Sequence, residues 1–600
     1  MANSHRPRKR RRNEISSSSS NGTIAVDPAT KRDTPAFPLV AFLWPAKGNT
    51  VSQWVVLPCV LLVIGLFRWC TAIWPYSGMG VPPLFGDFEA QRHWLEITII
   101  LPVTHWYFHD TTWWGLDYPP LTAYHSWILG QVGSFINKDW FALYQSRGLE
   151  TPDLKVFMRA TVYVSEHLVY VPAVIICVRN LAKLHTINSW ESTIALTAIL
   201  MQPATILIDH GHFQYNTVML GLIVAAISSM IAGRNLWACI FFVGALGFKQ
   251  MALFYALIVA AYLAGSCVSP KLNVLRFAGI AIVTLLSFAL LFLPIMAGTF
   301  YDTYRNIQLP SDVSLPPLLQ NSPIQLSEKA WYYPYLVQLT QVIHRVLPFD
   351  RGLWEDKVAN YWCALHTSGL WKLDRSKAGQ ARLQSTALQW TVLSQVIPCA
   401  VIFFKPKKNL IPVAFAAASW GFFLFSYQVH EKNVLLPLLP MTLLLATKDG
   451  MKPRIRAWVG YANLLATWTL FPLLHKDELR IPYAVLTPLW AFLLGLPPFS
   501  ISAYTTSAED GGLDILSKLI HLGTYAAALL WHVGELFILP PTNKPDLWVV
   551  GNVALGASGF FITYLWCLWQ LLSDHDFLVM VGLANRETRP KVSRISKKGD

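Results

Sequence analysis

Charged residues are scarce in this chain: Asp, Glu, Lys and Arg make up 14% of its 600 residues, against 54% hydrophobic residues. Soluble globular proteins carry about 25% charge and disordered ones lack apolar bulk, so both classes are excluded. Apolar and polar residues do not alternate with a period of two, which excludes a transmembrane barrel. The 8 cysteines are scattered, mostly inside apolar runs, and no CxxC pair occurs, so neither a disulfide framework nor a zinc site is expected. No internal repeat is visible. The basic N-terminus is not followed by a short apolar region with a small-residue cleavage site, so no cleavable signal peptide is expected.

What is abundant is apolar length. Runs near 20 residues recur from Trp54 almost to the C-terminus, each long enough to cross about 30 Å of hydrocarbon as a helix with its backbone satisfied internally. Read as spans they fall near 54–74, 156–180, 189–208, 214–232, 236–249, 251–266, 274–297, 384–404, 409–427, 432–447, 455–474, 482–503, 516–538 and 547–572, about fourteen in all. The 25 Trp and 22 Tyr suit aromatic belts at the two interfaces. The formal charge of +14 comes largely from the tails and short loops, which points to topology signals and anionic lipid headgroups rather than nucleic acid. The expectation is an all-α polytopic membrane protein.

The chain divides accordingly. Residues 1–50 form a basic, serine-rich cytoplasmic tail, expected to be disordered; 51–300 carry an N-terminal membrane module with a long loop over 75–155. A second long loop covers 301–383, a C-terminal membrane module 384–575, and a cytoplasmic tail 576–600 that ends Lys597, Lys598, Gly599, Asp600, the form of a dilysine retrieval signal to the endoplasmic reticulum. Threading the spans from a cytoplasmic N-terminus puts the basic turns RNLAK, KPKK and MKPRIR inside. The same threading gathers the unusual polar motifs on the opposite face.

Each of those motifs has two readings. In FGDFEAQRHW, Asp87 precedes a helix and suits an N-cap, yet beside Arg92 and His93 at a membrane surface it also suits a general base. Glu89, Arg92, His93 and Glu96 recur at helical spacing against Trp94, Leu95, Ile99 and Leu101, so this segment is expected to lie in the interface rather than cross it. Asp117, in WGLDYPP, is either a rigid tie between loop and helix or a catalytic carboxylate. Asp209, His210 and His212, in DHGHFQYN with Gln214, invite a metal, but the two His sit at i and i+2 and no complete ligand set is present; contacts to sugar or phosphate fit better. Lys249 either snorkels to the interface or meets a phosphate, and His430, Glu431 and Lys432 either form an interfacial cluster or neutralise a phosphate.

Taken together, FGDFEAQRHW, WGLDYPPLTAYHS, DHGHFQYN, FKQMALFYA and QVHEKNVLLPLLP resemble the motifs of the endoplasmic-reticulum glucosyltransferases that use dolichyl-phosphate-glucose to extend the lipid-linked oligosaccharide for N-glycosylation. RHWLEIT and LTAYHS are most similar to the member that adds the first glucose, an alpha-1,3-glucosyltransferase; a sibling adds the second. The resemblance implies a GT-C glycosyltransferase fold with a large lumenal first loop bearing interfacial helices, and transfer with inversion to a mannose of the dolichyl-diphosphate-linked oligosaccharide. It implies that Asp87 is the catalytic base, that Lys249, His430, Lys432 and His212 meet the donor phosphate, and that Glu89, Arg92, His93, Asp117, Asp209, His210 and Gln214 hold the acceptor or shape the loops. No cofactor and no metal is implied. The rivals are a polytopic transporter or lipid flippase, disfavoured by the lack of repeats and by polar motifs gathered at one face, and a structural membrane subunit.

Overall fold

The structure is a computed structural model that describes residues 36–43, 53–307, 315–321, 326–347, 357–367, 374 and 376–574. The C-terminal tail, with the dilysine ending, lies outside the described residues, as does the N-terminal tail apart from 36–43, where Pro38–Phe42 is a short helix with Leu39 and Val40 buried rather than the disordered chain expected. Every regular element among the described residues is a helix.

Seven of these helices are long and apolar enough to cross a membrane: Val55–Ala72, Pro152–His185, Gln250–Val268, Val274–Arg305, Ala378–Phe404, Lys408–Phe425 and Leu547–Ser573. An eighth span results if Ser189–Leu200 and Pro203–Phe213, which meet at a 44° bend, are taken as one. The other segments read as spans are also helical, but shorter or more polar. Asn235–Phe248 has 14 residues, about 21 Å at 1.5 Å per residue, and Ile515–Phe537 carries Lys518, His521 and Glu535. The helix Val274–Arg305 turns Leu275, Leu285, Leu290 and Phe300 outward, each more than half exposed. In water such a face would be a large apolar patch; against hydrocarbon it is satisfied, and its backbone needs no partner.

Inside, the bundle is fastened by buried ionic groups. Arg68, on the first span, forks onto Glu166 at 2.8 Å through both Nε and Nη2, and Nη2 also donates to the Leu200 carbonyl. Arg159 donates to the carbonyls of Gly211, Trp74 and Pro75, and so ties the mouth of the first span to the bend at 207–213. Charges at this depth are costly without partners, and these contacts satisfy the two guanidinium groups except for Arg159 Nε.

The helix Gly86–Ile100 carries the polar stripe expected from its spacing. Glu89, Arg92, His93 and Glu96 do share one face, but that face is turned inward and each is at most 1% exposed. Arg92 forks onto Glu89 at 2.7 Å, reaches Glu96 at 2.7 Å and donates to Ser146 Oγ and the Trp140 carbonyl. Glu96 in turn accepts from the Tyr144 N–H and lies 3.3 Å from His93 Nδ1. Burial pushes the Glu96 carboxyl up, but His93 and Arg92 outweigh it and hold it at about 2. The polar stripe thus ties the segment 140–146 down onto the helix instead of facing water.

Candidate active site

The helix that carries Asp87 starts abruptly. Phe85 and Gly86 both adopt left-handed backbone (φ 55° and 63°), and a Cβ on Gly86 would stand 2.5 Å from the Ser77 carbonyl oxygen, so only glycine fits there. Phe85 occupies the N-cap position without a side-chain hydrogen bond, which places Asp87 inside the first turn. The capping reading of Asp87 is therefore not what the structure has; the carboxylate points elsewhere, at the helix end that favours negative charge.

It points into a cavity of about 610 Å³ lined among others by Asp87, Asp117, His212, Gln214, Lys249, Arg345, His430 and Lys432. Asp87 Oδ2 accepts from three donors: Lys432 Nζ at 2.5 Å, Gln214 Nε2 at 2.6 Å and His212 Nε2 at 2.9 Å. Among the described residues nothing hydrogen-bonds to Oδ1, so that oxygen is left for a ligand. Burial pushes the Asp87 carboxyl up, but the Lys432 charge and the His212 hydrogen bond overcome it and hold the group well below the usual carboxylate range. Gln214 passes the network on: its Oε1 accepts from Lys249 Nζ at 3.1 Å, and Lys249 also donates to Asn216 Oδ1 at 2.6 Å and lies 4.7 Å from the centre of the Tyr118 ring.

Local sequence explains how His212 gets there. Residues Leu207–Phe213 form a widened π-type turn, closed by the Gln214 N–H on the Asp209 carbonyl, and Phe213 carries a left-handed φ of 85°. Such turns and such strain concentrate at functional sites. A Cβ on Gly211 would stand 2.9 Å from Leu479 Cδ1, so glycine lets this turn approach the C-terminal half closely.

The same turn separates the residues that spacing alone groups. Asp209 faces away from the cavity and accepts from Asn216 Nδ2 at 2.9 Å and the Thr217 N–H at 2.6 Å, satisfying the start of helix Asn216–Ala232. His210 lies 2.5 Å from Glu166 in the Arg68 cluster. Asp209, His210 and His212 thus have three different partners and do not converge on a point where an ion could sit. Glu89, Arg92 and His93, expected to hold the acceptor or shape the loops, do not line the cavity; Arg92 reaches the 140–146 segment and pairs with Glu89, and His93 lies against Glu96.

Two contributors were not singled out from sequence. Arg345, on helix Tyr333–Val346 in the second long loop, donates to the carbonyls of Gly115 and Leu116 and braces the loop that carries Asp117. Asp477 follows helix Phe471–Lys476 and its Oδ2 lies 2.5 Å from His212 Nδ1. The only signal for Asp477 in sequence is the turn HKDELR, which the threading puts on the same face as the other motifs.

An all-helical membrane protein with a carboxylate presented at the ends of its apolar helices, in a cavity otherwise rich in cations, belongs to the class that can activate a hydroxyl beside an anionic leaving group. The family follows from comparison. Residues 59–308 and 324–569 match the model of the ALG6, ALG8 glycosyltransferase family, and the chain belongs to it. It is 41% identical over 524 residues to a probable dolichyl pyrophosphate Man9GlcNAc2 alpha-1,3-glucosyltransferase of Schizosaccharomyces pombe, covering 87% of this chain and 92% of that one. The Saccharomyces cerevisiae dolichyl pyrophosphate Man9GlcNAc2 alpha-1,3-glucosyltransferase is 40% identical over 575 residues (92% and 97%), and that of Gallus gallus 36% over 540 residues (86% and 96%). The chain is thus a membrane glycosyltransferase of the pathway that builds dolichyl-linked oligosaccharide for N-glycosylation.

Proposed function

We propose that this protein transfers glucose from dolichyl-phosphate-glucose to a terminal mannose of the dolichyl-diphosphate-linked high-mannose oligosaccharide, forming an alpha-1,3 linkage with inversion. The observation that carries this reading is the Asp87 carboxylate with one oxygen open to a cavity that also holds Lys432, Lys249, His430 and His212. Asp87 takes the proton of the mannose 3-hydroxyl as that oxygen bonds to C1 of glucose. The C1–O bond to phosphate breaks, its electron pair stays on the phosphate oxygen, and dolichyl phosphate leaves. Because the leaving group is already an anion, the neighbouring cations assist it by charge. Asp117 and Arg345 shape the acceptor side, and Asp209, His210, Glu89, Arg92 and His93 shape the elements that carry the site.

The architecture that goes with this reading is a GT-C fold of about fourteen spans in the endoplasmic-reticulum membrane, with the site lumenal and both termini cytoplasmic. The apolar helices leave the polyprenyl tails of donor and acceptor in the bilayer. Addition of the first glucose is the version proposed; the relatives are named Man9GlcNAc2 alpha-1,3-glucosyltransferases. Purified protein incubated with dolichyl-phosphate-glucose and either the unglucosylated or the monoglucosylated lipid-linked oligosaccharide, with products weighed, tests it. A gain of one hexose on the unglucosylated acceptor is expected; a gain only on the monoglucosylated one assigns the sibling reaction, and none on either refutes the reading.

A further inference from the structure

The cavity is bordered by a buried carboxylate that does not touch it. Asp477 is 5% exposed, does not line the cavity, and its Oδ2 lies 2.5 Å from His212 Nδ1. The other ring nitrogen of His212 lies 2.9 Å from Asp87 Oδ2. An imidazole meets acceptors at both nitrogens in full only when both carry protons, and a ring held at both ends cannot flip. A buried carboxylate without a partner would be costly, so the Asp477 contact satisfies one group and orients the other.

We propose that Asp477 is a positioning residue for glucosyl transfer, acting through His212 to fix the carboxylate of Asp87. The proposal rests on the reading of Asp87 as the base. Three donors converge on Asp87 Oδ2, and of these Lys432 and Gln214 also face other demands: the donor phosphate attracts the ammonium, and Gln214 is shared with Lys249. His212 is the donor whose far side is locked by a buried charge. It therefore keeps Oδ2 occupied, with Oδ1 turned to the acceptor hydroxyl, while phosphate enters and leaves. When the hydroxyl proton arrives on Asp87, that carboxyl becomes neutral, and the Asp477 charge remains to balance the His212 ring.

The arrangement also makes the base depend on how the two halves of the chain meet. Asp477 and His212 are 265 residues apart, and the close approach of Gly211 to Leu479 brings their segments together. Arg159 holds the backbone of the same turn through the Gly211 carbonyl at 2.8 Å.

The test is steady-state kinetics of Asp477→Asn and Asp477→Glu beside Asp87→Asn and the Asp87→Asn/Asp477→Asn pair. Asp477→Asn keeps size and an acceptor but removes the charge. Its kcat is expected to fall by about 10- to 100-fold, as when an outer group that orients a functional side chain is lost, with the KM values for donor and acceptor within about twofold of wild type. Asp477→Glu should recover part of that loss, and the pair should be no slower than Asp87→Asn alone, because both act through one group. A wild-type kcat in Asp477→Asn, a change confined to KM, or losses that multiply in the pair would overturn the proposal. If Asp477→Asn does not survive purification, Asp477→Glu is read by the same split: lowered kcat at unchanged KM supports it, and wild-type kcat or a shifted KM overturns it. Full activity of Asp87→Asn would instead refute the base assignment on which the proposal stands.

Discussion

Lys432 Nζ lies 2.5 Å from Asp87 Oδ2 although 345 residues separate the two in the chain. The contact has a chemical consequence: a carboxylate paired to an ammonium is a weak base, so the resting site holds Asp87 in check. On the function proposed above, a donor phosphate in the same cavity would compete for that ammonium and thereby free the carboxylate. Lys432→Gln removes the ammonium that pairs with Asp87 and, on that proposal, the phosphate contact as well. We expect KM for the lipid donor to rise by roughly 10- to 100-fold, the equivalent of about 1.5–3 kcal/mol for a charge-assisted hydrogen bond, with the acceptor KM little changed. Equal effects on both substrates, or none on the donor, would place Lys432 outside the phosphate site.

The depressed Asp87 carboxyl also fixes a pH window. A group whose folded-state pKa lies below its unfolded value of about 3.9 adds stability that is fully present above that value and is lost as pH falls through the folded one. The difference in melting temperature between wild type and Asp87→Asn should therefore shrink as pH falls below about pH 4. Glu96, held at about 2, adds acid lability in the same low range. A difference that stays unchanged as pH falls from about 5 to about 3 would mean that the folded state does not hold Asp87 low.

Much of the site was legible in the sequence, and the limits have physical causes. A charge beside a long apolar run is costly without a purpose, and that contrast together with the family resemblance singled out Asp87, His212, Gln214, Lys249, His430 and Lys432, all of which line one cavity, along with Asp209, His210, Glu89, Arg92 and His93, which do not. Helical spacing of Glu89, Arg92, His93 and Glu96 gave the stripe but not its direction, because periodicity states which residues share a face and not what that face meets. The turn at 207–213 hid the separation of Asp209, His210 and His212, since a widened turn breaks the regular offsets on which face assignments depend. Asp477 went unnoticed because a charged residue in a short polar turn is the ordinary solvated case, and only a tertiary contact removes it from water. The short helices, such as Asn235–Phe248, read as apolar as the long ones, so composition marked the segments without giving their lengths.

Topology can be tested with one substitution. Asp110 precedes Thr111 and Thr112, so Asp110→Asn creates an Asn-Thr-Thr glycosylation acceptor in the 75–155 loop, where Thr111 and Thr112 are exposed. The tail already holds Asn21-Gly22-Thr23. In cells the Asp110→Asn acceptor should gain a glycan removable by endoglycosidase, while Asn21 stays bare. Modification at Asn21 with none at position 110 would invert the threading and move the cavity to the cytoplasmic side.

The decisive substitution remains Asp87→Asn. Since Phe85 occupies the N-cap position, replacing Asp87 removes no cap, and Asn can still accept from Gln214 or His212 through its amide oxygen. What Asn cannot do is take a proton. Transfer should fall by roughly two to four orders of magnitude, the usual worth of general-base help. Donor binding should survive, because Lys249, His430 and Lys432 are untouched and Lys432 is released from its pairing with Asp87. Donor affinity and melting temperature measured on the same preparation separate lost chemistry from lost folding. A variant that is folded, binds donor and still turns over near the wild-type rate would show that the base is another group of this cavity, with Asp117 the next carboxylate to examine.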